Sequence, residues 1–245
     1  MKRLGLAFLI VACAGLSTFC VDPIYETSSS SSSGSSSSAT SSTGQMCSEQ
    51  PCKLVAPQCG CPSGQMCTTS DVNGTRTCIV AGAQQVGQAC SPSNDCVPGS
   101  RCSGTPKSLC RSFCSVDSDC TPPGGACLVD IVPLAPGVSV CTQNCDPTTN
   151  EGCSVTGFGC QAQRDPTSGK AFTICLEDSG AGTQNSLCQA DVGNCAPNFD
   201  CVSVGGGPYS CVRWCKVAQG CAGGLQCVHF APPMLIGSTE YGTCE

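Results

Sequence analysis

The cysteine content limits the possible folds of this chain more than any other feature. The 245 residues include 28 cysteines, whereas only 4% of residues are aromatic and 11% are charged. A chain with so few large apolar side chains cannot bury enough surface to hold a conventional core, and such chains are stabilised by disulfides. Dense disulfides persist only in oxidising compartments. The composition therefore predicts a small disulfide-rich fold in a protein that acts outside the cytoplasm.

The N-terminus has the pattern of an export signal. Lys2 and Arg3 precede an uncharged and mostly apolar run over residues 4–16. This run is too short to span a bilayer as a helix, but it fits the apolar region of a signal peptide. We therefore expect residues 1–19 to be a signal peptide that is removed on export.

Three processing sites compete at the end of this signal. Residues 10–13 (IVAC) look like the lipobox of bacterial lipoproteins, residues 17–20 (STFC) are a second candidate, and the third is ordinary cleavage after Ala14. From Cys47 onward there are 26 cysteines, an even number, so acylation of Cys20 leaves every other cysteine a partner. We predict lipidation at Cys20. Cys13 is the alternative, because Phe19 departs from the small residue that a lipobox has before its cysteine.

A low-complexity segment follows the predicted lipidation site. Residues 20–46 are dominated by Ser with Gly and Thr, which is typical of a flexible tether. Loss of Lys2 and Arg3 leaves nine basic residues against 17 acidic ones. This acidic balance argues against a nucleic-acid partner and against attraction to anionic lipid. We expect contact with a membrane only through the lipid anchor.

The cysteines downstream of residue 90 recur in units of four. The first two gaps in each unit are five to seven residues long, and three residues separate consecutive units except at residues 176–187, which we interpret as a linker. Residues 90–175 then hold three units and residues 188–245 hold two. Such self-similarity indicates an array of small units. Residues 47–89, with six cysteines, are interpreted as a divergent first unit with one additional disulfide.

Four cysteines allow three connectivities, and the sequence alone leaves all three open. We assume that the first cysteine pairs with the third and the second with the fourth, because crossed bridges fix both the turn and the base of the hairpin. The assumed pairs are Cys90–Cys102, Cys96–Cys110, Cys114–Cys127, Cys120–Cys141, Cys145–Cys160, Cys153–Cys175, Cys188–Cys201, Cys195–Cys211, Cys215–Cys227 and Cys221–Cys244.

The segments inside each unit indicate turns and hairpins. Pro and Gly between the second and third cysteines, as in CVPGSRC, favour tight turns. Between the third and fourth cysteines, turn residues separate β-prone arms, as in TTSDVNGTRT. No apolar stripe of helical period persists for ten residues. The predicted fold is a series of short β-hairpin units with little regular secondary structure and no helical core.

Two segments carry a resemblance to known proteins. CSVDSDCTPPGGAC and CSPSNDCVPGSRC resemble the Dickkopf-type N-terminal cysteine-rich pattern. The whole chain is similar to cysteine-rich surface lipoproteins of Gram-negative bacteria, which combine a signal, a Ser-rich tether and such repeats. This resemblance implies a lipoprotein of the outer membrane or cell surface. Without the anchor, the protein would be secreted.

The sequence offers no set of residues for catalysis or metal binding. Zinc and redox motifs use pairs of cysteines with two residues between them (C-x-x-C), and no such pair occurs in the sequence. His229 is the only histidine, so a nucleophile has no other imidazole base. Asp71 begins a segment that superficially resembles a calcium loop but lacks its downstream glutamate. We expect no metal, no cofactor and no enzymatic activity.

One apolar segment suggests a binding surface. Residues 230–237 (FAPPMLIG) are predicted to lie in the loop of the last hairpin. Exposed apolar side chains there would form a contact patch, and the alternative is packing against a neighbouring unit. Residues 128–137 are a weaker candidate. The proposed patch consists of Phe230, Met234, Leu235 and Ile236.

Two classes of function fit these features. The first is a surface-tethered structural or adhesive protein that binds an unknown protein or surface. The second is a secreted binding module such as a protease inhibitor, in which an exposed arginine in a constrained loop would engage a trypsin-like protease. Arg101 and Arg213 are the candidates for that arginine.

Overall fold

The computed structural model describes residues 47–70, 74–91, 95–104, 108–129, 139–153, 155–177, 180–189, 194–203 and 205–245. The predicted signal peptide and tether, with Cys13 and Cys20, lie outside the described residues. The same holds for Asp71 and for most of residues 128–137. All 26 cysteines from Cys47 onward are described and paired with one another.

The described part of the chain is built from thirteen β-strands and one short 3-10 turn at Asp117–Asp119. The strands are β1 (Gln65–Thr69), β2 (Arg76–Val80), β3 (Ala89–Cys90), β4 (Ser100–Ser103), β5 (Ser108–Cys114), β6 (Cys127–Val129), β7 (Ser139–Cys141), β8 (Phe158–Arg164), β9 (Ala171–Glu177), β10 (Phe199–Ser203), β11 (Tyr209–Lys216), β12 (Cys227–Ile236) and β13 (Thr239–Cys244). The predicted fold class, a small disulfide-rich hairpin fold without a helical core, is confirmed. Among the described residues, no helix has the length and apolar character needed to cross a lipid bilayer.

The strands form six antiparallel hairpins, one for each cysteine unit. They are β1–β2, β4–β5, β6–β7, β8–β9, β10–β11 and β12–β13. In every hairpin the last two cysteines of the unit face each other across the ladder, as Cys102 faces Cys110. Each of these cysteines is bonded outside the hairpin, so each hairpin is anchored at its base by two separate bridges.

The bridges have the crossed order in each of the five later units. Cys90 is bonded to Cys102 and Cys96 to Cys110, and the other four units repeat this order. In the first unit the same roles fall to the bridges Cys52–Cys67 and Cys61–Cys78. The additional bridge of that unit is Cys47–Cys59. Because Cys59 lies between Cys52 and Cys61, the extra bridge ties the start of the first unit to its opening loop.

The hairpins are grouped into two modules with the same strand order. In the first module, residues 47–141, the hairpin β1–β2 accompanies a sheet with the order β4-β5-β7-β6, to which β3 adds. In the second module, residues 145–245, the hairpin β8–β9 accompanies a sheet with the order β10-β11-β13-β12. In each module, one long strand carries both the fourth cysteine of the middle unit and the first cysteine of the last unit. These strands, β5 and β11, therefore join two hairpins into one sheet.

A lead-in segment precedes the middle unit of each module. Residues 84–90 and 182–188 make equivalent backbone contacts: Gly87 N–H donates to Cys110 O in the first module, as Asn185 N–H donates to Cys211 O in the second. Gln84 also forms a parallel bridge with the second cysteine of its unit, as Gly182 does. The part of the predicted linker 176–187 that lies in this segment is thus hydrogen-bonded to the unit that follows it.

Apolar packing is divided among several small clusters. Phe113 on β5 packs with Leu54 of the first unit and Val140 of β7, together with the bridge Cys52–Cys67. At the equivalent position of β11, Trp214 packs with residues of β8, β12 and β13. Cystines thus supply much of each interior, as expected for a chain with few large apolar side chains.

Candidate functional site

The predicted contact patch in residues 230–237 is not an exposed loop. These residues form most of β12, the first strand of the last hairpin, and Met234 and Ile236 are only 8% and 3% exposed. Both pack with Ala162, Trp214 and Tyr241. The expectation of an exposed patch is therefore wrong for these two side chains, because alternate residues of a strand face the neighbouring unit.

The two remaining patch residues divide between the core and the surface. Phe230 is half-buried, and its ring centroid lies 5.7 Å from that of Trp214. Leu235 is 53% exposed and points away from the core. A single exposed leucine is ordinary for a protein surface. The segment therefore acts mainly as packing between the units.

The arginines considered for a protease contact both lie within strands. Arg101 is in β4, where it is half-buried and donates a hydrogen bond from Nη1 to Thr69 Oγ1 over 3.0 Å. Burial lowers the pKa of Arg101. Arg213 is exposed but lies in the middle of β11, opposite Phe199. Neither residue is in a constrained loop, so the structure does not support the placement on which an inhibitor role depended.

His229 has an acidic neighbour and no nucleophile. It lies on the exposed face of β12, and its Nδ1 is 3.4 Å from Oε1 of Glu240 on β13. Among the described residues every cysteine is in a disulfide, so no thiol is available beside this imidazole. His229 is an exposed side chain that lies close to one carboxylate.

An open groove of about 440 Å³ lies beside the 3-10 turn. Its charged groups already have hydrogen-bond partners. Lys170 donates to Asp117, and this hydrogen bond is the main cause that lowers the pKa of Asp117. Hydrogen bonds from Ser168 and Thr167 lower the pKa of Asp165, which lies at the exposed rim. The groove is therefore a solvated surface feature whose carboxylates are already partnered.

A buried arginine joins the two modules. Arg111 on β5 is 6% exposed, and it donates from Nη1 to Gln143 Oε1 over 2.5 Å and from Nη2 to Cys175 O over 3.2 Å. Burial lowers the pKa of Arg111 to about 10. Thr173 on β9 adds to the same junction, because its backbone N–H donates to Gly124 O over 2.9 Å and its hydroxyl donates to Gln143 O over 2.9 Å.

An ion pair forms a second contact between units. Lys216 Nζ lies 2.5 Å from Asp146 Oδ2. Burial raises the pKa of Asp146, but hydrogen bonds from Lys216 and Thr148 outweigh this effect and hold the pKa below its usual value. Burial, and to a lesser degree the charge of Asp146, raises the pKa of Tyr241 to about 12. The phenol therefore stays neutral at physiological pH.

Asp200 on β10 is a carboxylate in an unfavourable environment. Burial raises its pKa to about 6, although the N–H of Cys201 donates to Oδ1 over 2.9 Å. The equivalent residue of the first module, one position before the third cysteine of the middle unit, is Arg101. The two modules therefore carry opposite charges at the same place in their sheets.

A smaller cavity of about 170 Å³ lies beside β5, where the first module meets the second. Its walls include Ser112 on β5, Cys141 at the end of β7 and Gln143 in the connection to the second module. Gln143 is 7% exposed, and its Nε2 has no hydrogen-bond partner among the described residues. The cavity thus has polar as well as apolar residues in its walls, the kind of lining that orients a polar ligand.

No sequence pattern singles out Arg111, Thr173 or Gln143. The lead-in segments at residues 84–90 (QQVGQAC) and 182–188 (GTQNSLC) share little side-chain identity, so their sequences do not indicate the backbone pairing. Comparisons with protein-family models, with curated proteins and with solved structures gave no match to this chain. The many disulfides themselves indicate an extracellular, disulfide-stapled module.

Proposed function

We propose that this protein is a surface-tethered scaffold with a structural or adhesive role outside the cell. The observation that carries the proposal is the complete pairing of the cysteines from Cys47 to Cys244 in thirteen bridges. Six stapled hairpins held in this way keep their shape where chaperones and reductants are absent. Binding is the role for which such a fixed surface is suited.

The cysteine pairing also supports the proposed anchor. Because the 26 downstream cysteines pair with one another, a retained Cys20 has no partner among them, which fits an acylated residue. The Ser-rich segment 20–46 would then hold the stapled units away from the membrane. The combination of a predicted signal, a Ser-rich tether and stapled repeats supports the outer membrane or cell surface as the proposed location.

The absence of catalysis is part of the proposal. The only histidine is exposed, and the described cysteines are all bonded. The charged groups that line the open groove already have hydrogen-bond partners, Lys170 with Asp117 and Asp165 with Ser168. The described residues therefore supply surfaces and supports, and we assign the protein no reaction.

Detergent partitioning tests the anchor. Wild type, Cys20→Ala and Cys13→Ala are expressed in a Gram-negative host and separated between detergent and aqueous phases. We expect wild type and Cys13→Ala to enter the detergent phase and Cys20→Ala to remain in the aqueous phase. If Cys20→Ala partitions with detergent as wild type does, the anchor at Cys20 is refuted. Antibody access on intact cells then distinguishes surface display from a periplasmic location.

A further inference from the structure

The two modules differ at one position where a side chain completes the sheet. In the second module the ladder between β11 and β13 runs from Lys216–Tyr241 to Trp214–Thr243. The next position would pair Arg213 with Cys244. Here the side-chain amide of Gln184 is inserted instead: Arg213 N–H donates to Gln184 Oε1 over 2.9 Å, and Gln184 Nε2 donates to Cys244 O over 2.9 Å. One carboxamide thus serves both strands.

At the same position of the first module there is a cavity. The ladder between β5 and β7 runs from Cys114–Ser139 to Phe113–Val140 and ends there. The next residues are Ser112 and Cys141, which are the counterparts of Arg213 and Cys244. Ser112 and Arg213 each lie two residues after the fourth cysteine of the middle unit, and Cys141 and Cys244 are each the fourth cysteine of the last unit. Ser112 and Cys141 both line the cavity of about 170 Å³.

The residue that corresponds to Gln184 has no carboxamide. The lead-in segments align through their backbone contacts, since Gly87 and Asn185 donate to equivalent cysteine carbonyls, and Gln84 and Gly182 form equivalent bridges. This alignment places Val86 at the position of Gln184. Val86 is 49% exposed and forms part of the cavity wall. A valine cannot donate or accept the two hydrogen bonds that Gln184 makes.

The cavity is large enough and polar enough for the missing group. A water takes about 30 Å³ in the liquid, so a volume of about 170 Å³ holds a carboxamide together with its methylene stem. By analogy with Arg213 N–H and Cys244 O in the second module, Ser112 N–H is the donor and Cys141 O the acceptor that a primary carboxamide would satisfy here.

We propose that this cavity binds the side-chain carboxamide of a Gln or Asn residue from a partner polypeptide, in the way that Gln184 fills the equivalent place in the second module. The side-chain oxygen would accept from Ser112 N–H, and the side-chain NH₂ would donate to Cys141 O. This inference deepens the proposed binding role. It rests on that role because the proposed role is the reason to expect a polypeptide ligand. It names the first module as the part that recognises the partner.

An NMR titration of the oxidised, ¹⁵N-labelled protein from Val21 onward, which carries no lipid, tests the inference. The probe is N-acetyl-Gly-Gln-Gly-N-methylamide, and the matched control peptide has Met in place of Gln, a side chain of similar length without the carboxamide. We expect a saturable shift of the Ser112 amide resonance at millimolar concentrations of the Gln peptide, and none with the Met peptide. Absence of a shift at Ser112, or equal shifts with both peptides, overturns the proposal.

A variant that supplies its own carboxamide gives a second readout. Val86→Gln places the side chain of Gln184 at the equivalent position, so it should abolish the peptide titration. One added hydrogen bond should also slow amide hydrogen exchange at Ser112 by about fivefold. Val80→Gln is the control: it adds the same side chain at a residue that is 76% exposed and does not line the cavity, and it should leave both measurements as in wild type. If Val86→Gln still binds the Gln peptide as wild type does, the cavity is not the site.

These measurements separate this inference from the proposed anchor. The titration needs neither export nor lipid, so a protein that fails to partition with detergent but binds the Gln peptide would refute only the tether. A protein that partitions as expected but shows no shift at Ser112 would refute only the carboxamide site.

Discussion

Replacement of Asp200 by asparagine should stabilise the protein at neutral pH. Burial raises the pKa of Asp200 from the ordinary 3.8 to about 6, so the folded state binds this proton more tightly than the unfolded state does. Ionisation therefore opposes folding, and the stability contributed by this residue falls as the pH rises from about 4 to about 6. The asparagine side chain would keep an oxygen that accepts from the N–H of Cys201 and would carry no charge.

The size of the effect follows from the pKa difference. Each pKa unit corresponds to about 1.4 kcal/mol, so the ionised Asp200 costs about 3 kcal/mol at pH 7.5. The side chain keeps part of its surface exposed, so this figure is an upper value. At pH 4 the cost of Asp200 to folding is only about 0.6 kcal/mol, because the folded state is then protonated at this site and the unfolded state is protonated in part. The expected gain of Asp200→Asn is thus strongly pH-dependent.

Guanidinium-induced unfolding without reductant, at pH 7.5 and pH 4, measures this difference. The control is Asp146→Asn, which should have the opposite sign. Burial raises the pKa of Asp146, but hydrogen bonds from Lys216 and Thr148 outweigh it and hold the pKa below its usual value. The stabilising effect of Asp146 is therefore present at neutral pH and is lost as the pH falls through that lowered pKa. An Asp200→Asn variant that is no more stable than wild type at pH 7.5 would refute the reasoning that desolvation dominates at this site.

Three further substitutions test the packing of the units, each by the midpoint of unfolding in guanidinium. Gly82→Ala should destabilise by about 1–3 kcal/mol, because its new Cβ would lie 2.0 Å from a backbone carbonyl, whereas Gly159→Ala meets nothing closer than 3.8 Å and should be near neutral. Met234→Ser should cost about 2–4 kcal/mol and Leu235→Ser less than about 0.5 kcal/mol; equal effects would contradict the assignment of their faces. Arg111→Met should destabilise by about 1–3 kcal/mol, since two buried acceptors lose their donor, and an unchanged midpoint would count against the junction.

The cysteine spacing carried most of the information about the fold. Turn residues between the second and third cysteines and β-prone arms between the third and fourth were enough to predict a hairpin for each unit. The crossed pairing followed from an argument about where a bridge must hold a hairpin, and the structure has bridges in that order. These features are local, since each bridge spans only 12 to 23 residues, and local features can be read from spacing.

The segment at residues 230–237 shows why side-chain pattern alone was insufficient. Its apolar residues are adjacent rather than alternating, and two prolines interrupt them, a pattern that indicates a loop. In the structure, the pairing of β12 with β13 shifts register between His229 and Met234. Because of this register shift, apolar and polar side chains do not alternate along the whole segment, and such alternation is the usual sequence signal of a strand. Met234 and Ile236 are therefore buried on a strand that the sequence does not display as one.

Contacts between distant units could not be predicted from the sequence, for a different reason. Arg111 and Cys175 are 64 residues apart, and the arginine has a carbonyl partner and an amide partner but no carboxylate to reveal the pairing. The lead-in at residues 182–188 is held by backbone hydrogen bonds, which leave little trace in side-chain identity. The cavity beside Ser112 is formed by segments that are far apart in the sequence, so it follows only from the three-dimensional arrangement of the module.

The intact mass of the mature protein tests the central claim most directly. The protein is denatured without reductant, treated with an alkylating reagent and weighed by mass spectrometry. Thirteen disulfides predict a loss of 26 hydrogens relative to the reduced chain and no alkylated cysteine from Cys47 onward, with an added acyl mass on Cys20 if the proposed anchor holds. An alkylated cysteine in that region, or a bound metal in the native mass, would contradict a scaffold held by disulfides.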